Sequence, residues 1–71
     1  MHLSTFDYLQ PTPEQIEVMQ EMRLHAKEYG DCIETNVPDG PDKDHILRKL
    51  REVAMWVNVA ITRHEDGSPR A

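Results

Sequence analysis

Cysteine is nearly absent from this chain. Cys32 stands alone, so no disulfide can close within the molecule, and a reducing cytoplasm is the expected setting. No apolar run is long enough to span a bilayer, and the opening MHLSTFDYLQ has no basic segment followed by an apolar one. The chain is therefore expected to be neither secreted by a standard signal nor embedded in a membrane. Positive charge is scarce: eight Lys and Arg stand against thirteen Asp and Glu, and the net charge of −5 argues against a non-specific binder of DNA or RNA polymers. Any anionic ligand has to find a local cluster of cations against the overall field. No segment alternates as a strand does, and there is neither a repeat nor a low-complexity tract. His2, His25, His45 and His64 are too scattered for a metal site, and no Cys or carboxylate joins them at a ligand spacing. Cys32 lies on an apolar stripe with no base in view and reads as a small core residue. No catalytic constellation stands out, so the chain is expected to be a non-enzyme with no metal and no cofactor.

What is present is helix. The stretch PTPEQ opens one strongly: Thr12 suits the N-cap, Pro13 the first helical position, and Gln15 completes a Thr-x-x-Gln capping box. Glu14 and Glu17 sit where the helix dipole favours negative charge. From there a helix is expected to run to about Asn36, with only Gly30 against it; close helix packing is its first explanation and backbone approach by a ligand its second. VPDGPD then turns the chain, and a second helix is expected from Pro41 or Asp42 to Arg63 or His64. The closing EDGSPRA has the composition of a frayed end. The expected architecture is all-α: a short N-terminal lead and an antiparallel two-helix hairpin forming one domain over residues 1–64, with 65–71 as a flexible tail.

The faces of these helices do not balance. Helix one places Val18, Met22, Tyr29 and Cys32 near one line, with Ile16, Met19, Ala26 and Ile33 beside it. Helix two offers Ile46, Leu50, Val53, Val57 and Ala60, with Leu47, Ala54 and Ile61 adjacent. Those stripes can seal the hairpin. They leave over Met55, Trp56 and Val59, in a stretch, Val53–Ile61, whose one polar residue is Asn58. A two-helix hairpin has no third element to cover them, so they are expected to form the core of a homo-oligomer. Asn58 has two readings, an interhelical contact that sets register or an edge residue facing water.

Arg23 and Lys27 are one turn apart on helix one, and the aromatics Phe6 and Tyr8 precede that helix. A ring for a base and a cation for a phosphate are the minimum for holding a nucleotide. The same residues also read as a solvated helix face and a hydrophobic staple, so spacing alone leaves both open.

The run PTPEQIEVMQEMRLHAKEY, a proline-containing turn, and then LRKLREVAMWVNVAITR resemble a family of small bacteriophage proteins, the anti-CBASS cyclic-oligonucleotide sponges, whose helical hairpin is shared with a phage anti-Thoeris family. The likeness covers about residues 8–64. Its most specific parts are the P-E-Q-I start, the R-x-x-A spacing of Arg23 to Ala26, and the block MW-x-N-x-AI-x-R ending in Arg63. The resemblance implies a compact homohexamer in the cytoplasm of the infected bacterium that binds cyclic second messengers, such as 3′,3′-cyclic GMP-AMP, without cleaving them. It places Tyr8 on a base and Arg23 on a phosphate of a cyclic dinucleotide, with Lys27 as a second cation, in pockets between protomers. It further implies a separate cyclic-trinucleotide site near a threefold axis, with Thr62 and Arg63 as candidates; Thr62 stands where the family pattern has a small residue. Two alternatives accompany this reading: a helical adaptor that docks a protein through VAMWVNVAIT, and a sponge for ADP-ribose-derived messengers of the Thoeris system.

Overall fold

The computed structural model describes residues 1–70. Two α-helices, α1 (Pro13–Asn36) and α2 (Pro41–Ile61), form a hairpin, and no strand occurs among the described residues. The N-cap follows the sequence. Thr12 is extended and accepts from the Gln15 amide at 3.2 Å, while Gln15 Oε1 accepts from the Thr12 amide at 2.9 Å. At the other end, Val37 is extended and its N–H closes the last turn onto the Ile33 carbonyl at 2.9 Å. Between the helices Gly40 takes φ +152°, a value that side chains rarely permit, and Pro41 begins α2.

The helices run antiparallel, with Gln15 reaching Ile61 at one end and Lys43 reaching Glu34 at the other. Their seam consists of Met19, Ala26, Gly30 and Ile33 against Leu47, Leu50, Ala54, Val57 and Ile61, all at least half-buried. This keeps most of the expected flanking line of α1 and most of the α2 stripe, and corrects the rest. Val18, Met22, Tyr29, Cys32, Ile46 and Val53 are exposed. The seam includes the small residues Ala26, Gly30 and Ala54, and at Gly30 the Leu50 side chain packs close to the α1 backbone. Cys32 therefore lies outside the core, next to Asn36, whose side-chain amide donates to the Cys32 carbonyl at 2.8 Å.

The second helix is also shorter than its apolar pattern indicates, ending at Ile61 rather than at Arg63 or His64. Thr62 and Arg63 make i−3 bonds to Val59 and Ala60, both at 3.2 Å, and the Thr62 hydroxyl takes the Val59 carbonyl at 2.8 Å. The tightened turn lets the chain double back. Residues 63 and 69 form an isolated antiparallel bridge, His64 N–H donates to Ser68 O at 2.7 Å, and Arg70 N–H to Thr62 O at 2.7 Å. The Gln15 side chain donates to Arg70 O at 2.7 Å, so residue 70, in the stretch expected to be a flexible tail, is placed against the start of α1, while Ala71 lies outside the described residues.

Lys43 is only 6% exposed. Its ammonium donates to the Glu34 carbonyl and to Asp39 Oδ1, each at 3.0 Å, and pairs with Glu34 Oε2 at 3.3 Å. The Asp39 carboxylate is the main reason its pKa stands above the ordinary 10.5. The side chain latches the turn to the end of α1.

The hairpin buries little. Among the described residues Ile33 is the one apolar residue that is almost fully covered, whereas Met55 is 61% exposed, Trp56 63% and Val59 43%. The accessible surface is 5879 Å². A compact monomer of 8.3 kDa presents roughly 4,600 Å². The radius of gyration, 14.8 Å, likewise exceeds the roughly 11 Å of a compact chain this long.

Candidate ligand-binding site

The lead before α1 is neither helix nor strand. It folds through turn bonds from Thr5 N–H to His2 O at 3.1 Å and from Asp7 N–H to Ser4 O at 2.9 Å. It delivers Tyr8, 83% exposed, to a groove of about 290 Å³ shared with Leu9, Pro11, Met19, Asn58, Val59, Thr62 and Arg63. Phe6 is exposed as well.

A second, larger groove of about 570 Å³ lies between the helices at mid-length. Its walls are apolar, from Met22, Ala26, Leu50, Val53, Ala54 and Val57, with Arg23 and Arg51 as its cations and Tyr29 as its ring. The antiparallel register brings Arg51 of α2 to the groove of Arg23 on α1. Two guanidinium groups offer planar, bidentate donors suited to phosphate, and the apolar walls with a ring suit a base. Lys27 is exposed on α1, one turn beyond Arg23.

Within one chain, then, Tyr8 and Arg23 line different grooves. Asn58 lines both, so the grooves adjoin along the hairpin. Thr62 is buried, with its hydroxyl on the Val59 carbonyl. The Arg63 guanidinium is engaged by Ser4, Thr5, Asp7 and Gly67. A ligand at Arg63 has to exchange with those protein oxygens.

The family description Acb2/Tad1, hairpin domain, matches residues 1–62. The chain belongs to the Acb2/Tad1 hairpin family. This is the anti-CBASS and anti-Thoeris sponge family indicated by the PTPEQ and MW-x-N-x-AI-x-R segments, and its members are binding proteins of the sponge type. No curated relative and no solved structure matches the chain. The Acb2/Tad1 match begins before α1 and so includes the lead with Tyr8, and it ends at Thr62, just after α2.

Two features of this Acb2/Tad1 hairpin escape a reading by spacing. Arg51 joins Arg23 only through the helix register. Tyr29, assigned to the seam, instead lines the Arg23 groove. Both could be found by aligning Gln15 with Ile61 and counting along antiparallel helices. The described residues hold no group of three or more His, Cys, Asp and Glu placed to bind a metal, and no helix long and apolar enough to cross a membrane.

Proposed function

We propose that this protein is a phage anti-defence sponge: it binds cyclic dinucleotides such as 3′,3′-cyclic GMP-AMP, and cyclic trinucleotides, inside the infected bacterium and withholds them from the host CBASS effector without cleaving them. The observation that carries this is membership in the Acb2/Tad1 hairpin family across residues 1–62. The chemistry supports it. Tyr8 stacks on a base, Arg23 takes a phosphate, and Lys27 is a second cation on the same face; Arg51, at the Arg23 groove, is a further donor. Thr62 and Arg63 are assigned to the trinucleotide.

The protomer assembles, in this proposal, as a homohexamer through Met55, Trp56 and Val59. Its surface excess, roughly 1,300 Å² over a compact monomer, exceeds the roughly 800 Å² that one partner contributes to a standard interface. Assembly also explains how Tyr8 and Arg23, in adjoining grooves of one copy, serve one ligand: the rings and cations of neighbouring copies meet in the crease between them. A preformed crease lowers the ordering cost of binding, and tight binding is what lets a sponge compete by mass action.

Isothermal titration with 3′,3′-cyclic GMP-AMP, followed by chromatography of the released ligand, tests the proposal. Saturable heat with intact nucleotide recovered is the expected result. Absence of heat across cyclic di- and trinucleotides removes it, and recovery of linear nucleotide converts the protein into an enzyme.

A further inference from the structure

Tyr8 does not hold itself in place. Its ring is 83% exposed, and the lead that carries it has no helix or strand hydrogen bonds. What ties the lead to the hairpin is Arg63, at the far end of α2. Its Nη1 donates to Ser4 Oγ at 3.1 Å and to Gly67 O at 2.8 Å. Its Nη2 fans over three carbonyls, Ser4 at 2.9 Å, Thr5 at 3.4 Å and Asp7 at 3.2 Å, and the last belongs to the peptide that enters Tyr8. Five contacts share the four N–H groups of the guanidinium's two terminal nitrogens. A planar fork can meet that many oxygens from one point; an ammonium with three donors on a single atom cannot spread over the same set.

We infer that Arg63 is a positioning residue for the messenger site: its guanidinium clamps residues 4–7 to the end of α2 and so sets where the Tyr8 ring is presented. This rests on the reading of Tyr8 as the ring that stacks on the messenger, and it gives Arg63 a role in dinucleotide binding separate from direct contact with a phosphate. Ser4 is buried and two of the five contacts pass through it, so the lead closes over the guanidinium. Gly67, held by the same nitrogen that reaches Ser4, also approaches the lead, with room for a Cβ only 3.3 Å from His2 Cβ. One side chain therefore gathers the lead, the end of α2 and the doubled-back segment.

The test uses the full chain and the variants Arg63→Ala, Arg63→Lys, Tyr8→Ala and Arg63→Ala/Tyr8→Ala. Backbone order of residues 4–8 by NMR relaxation is the readout that needs no ligand. In wild type the order parameters approach those of rigid backbone, about 0.85, and in both Arg63 variants they fall below about 0.6 while the helices keep theirs. Titration with 3′,3′-cyclic GMP-AMP is the second readout. Arg63→Ala and Arg63→Lys each weaken binding at least tenfold, whereas in the Tyr8→Ala background removing Arg63 changes affinity by less than twofold, because the ring it positions is already gone. Unchanged order in residues 4–8 of the Arg63→Ala variant overturns the clamp. A loss on removing Arg63 that is as large without Tyr8 as with it, or binding fully kept by Arg63→Lys, shows instead that the cation meets the ligand itself. A wild-type protein that binds no nucleotide defeats the sponge reading, and the relaxation data still decide whether Arg63 orders the lead.

Discussion

At the scale of residues, Gln15 does two things with one amide. Its oxygen closes the capping box on Thr12, and its nitrogen holds the Arg70 carbonyl and reaches that of Ile61. Replacing it with Ala removes both and is expected to cost about 1–2 kcal/mol by thermal unfolding. Gln15→Glu keeps the acceptor for Thr12 and loses the donor, so the helix start stays and the contact with residue 70 goes, which amide exchange at Arg70 resolves. The glycines separate in the same way. At Gly40, φ +152° strains any side chain, and Gly40→Ala destabilises by about 1 kcal/mol or more. At Gly30 an added methyl meets Leu50 Cδ2 at 3.6 Å, an ordinary contact, so Gly30→Ala stabilises α1 by up to about 1 kcal/mol. Close packing locates Gly30 without requiring it to be glycine. Asp66 accepts from the hydroxyl of Ser68 at 2.6 Å and from its amide at 2.9 Å, and these bonds, the hydroxyl first, hold its carboxyl below the ordinary 3.8. A depressed acid favours the folded form above pH 3.8, and that contribution is lost as pH falls through the folded pKa. Chemical shifts of Gly67 and Ser68 should therefore move below pH 3.8 before the helices melt, and Asp66→Asn should abolish the step.

At the scale of elements, the two helices and their limits follow local rules, and most were legible: the Thr12 cap, the Pro13 and Pro41 starts, and the turn at Asp39-Gly40 each need only neighbours in sequence. The seam was not. Val18, Met22 and Tyr29 are as apolar as the residues that face α2, and nothing local says which of the two lines turns toward Leu47, Leu50 and Ala54. Lys43 combines a local partner with a more distant one, since Asp39 lies four residues before it and Glu34 is brought beside it only when the turn closes. Its raised pKa makes its contribution complete below the ordinary 10.5 and lost as pH rises through the folded value. The stability gap between wild type and Lys43→Met should hold at neutral pH and narrow above pH 10.5, read as the difference in melting temperature.

At the scale of the whole molecule, the chain exposes more surface than its mass warrants, and Trp56 is the largest apolar group left uncovered. If assembly covers it, Trp56→Arg converts the multimer to protomer-sized species with reduced helicity in sedimentation and circular dichroism. A wild-type chain that sediments as one folded copy defeats the oligomer. The surplus of apolar residues in VAMWVNVAIT, the helical class and the family resemblance could all be read from composition, period and motif, because each is a property of neighbouring residues. Only the folded chain decided which stripe seals the hairpin, that Arg51 joins Arg23, and that Arg63 holds the lead beneath Tyr8. Those outcomes depend on register and on contacts between segments 20 or more positions apart, and no local pattern encodes the distance at which two helices come to rest.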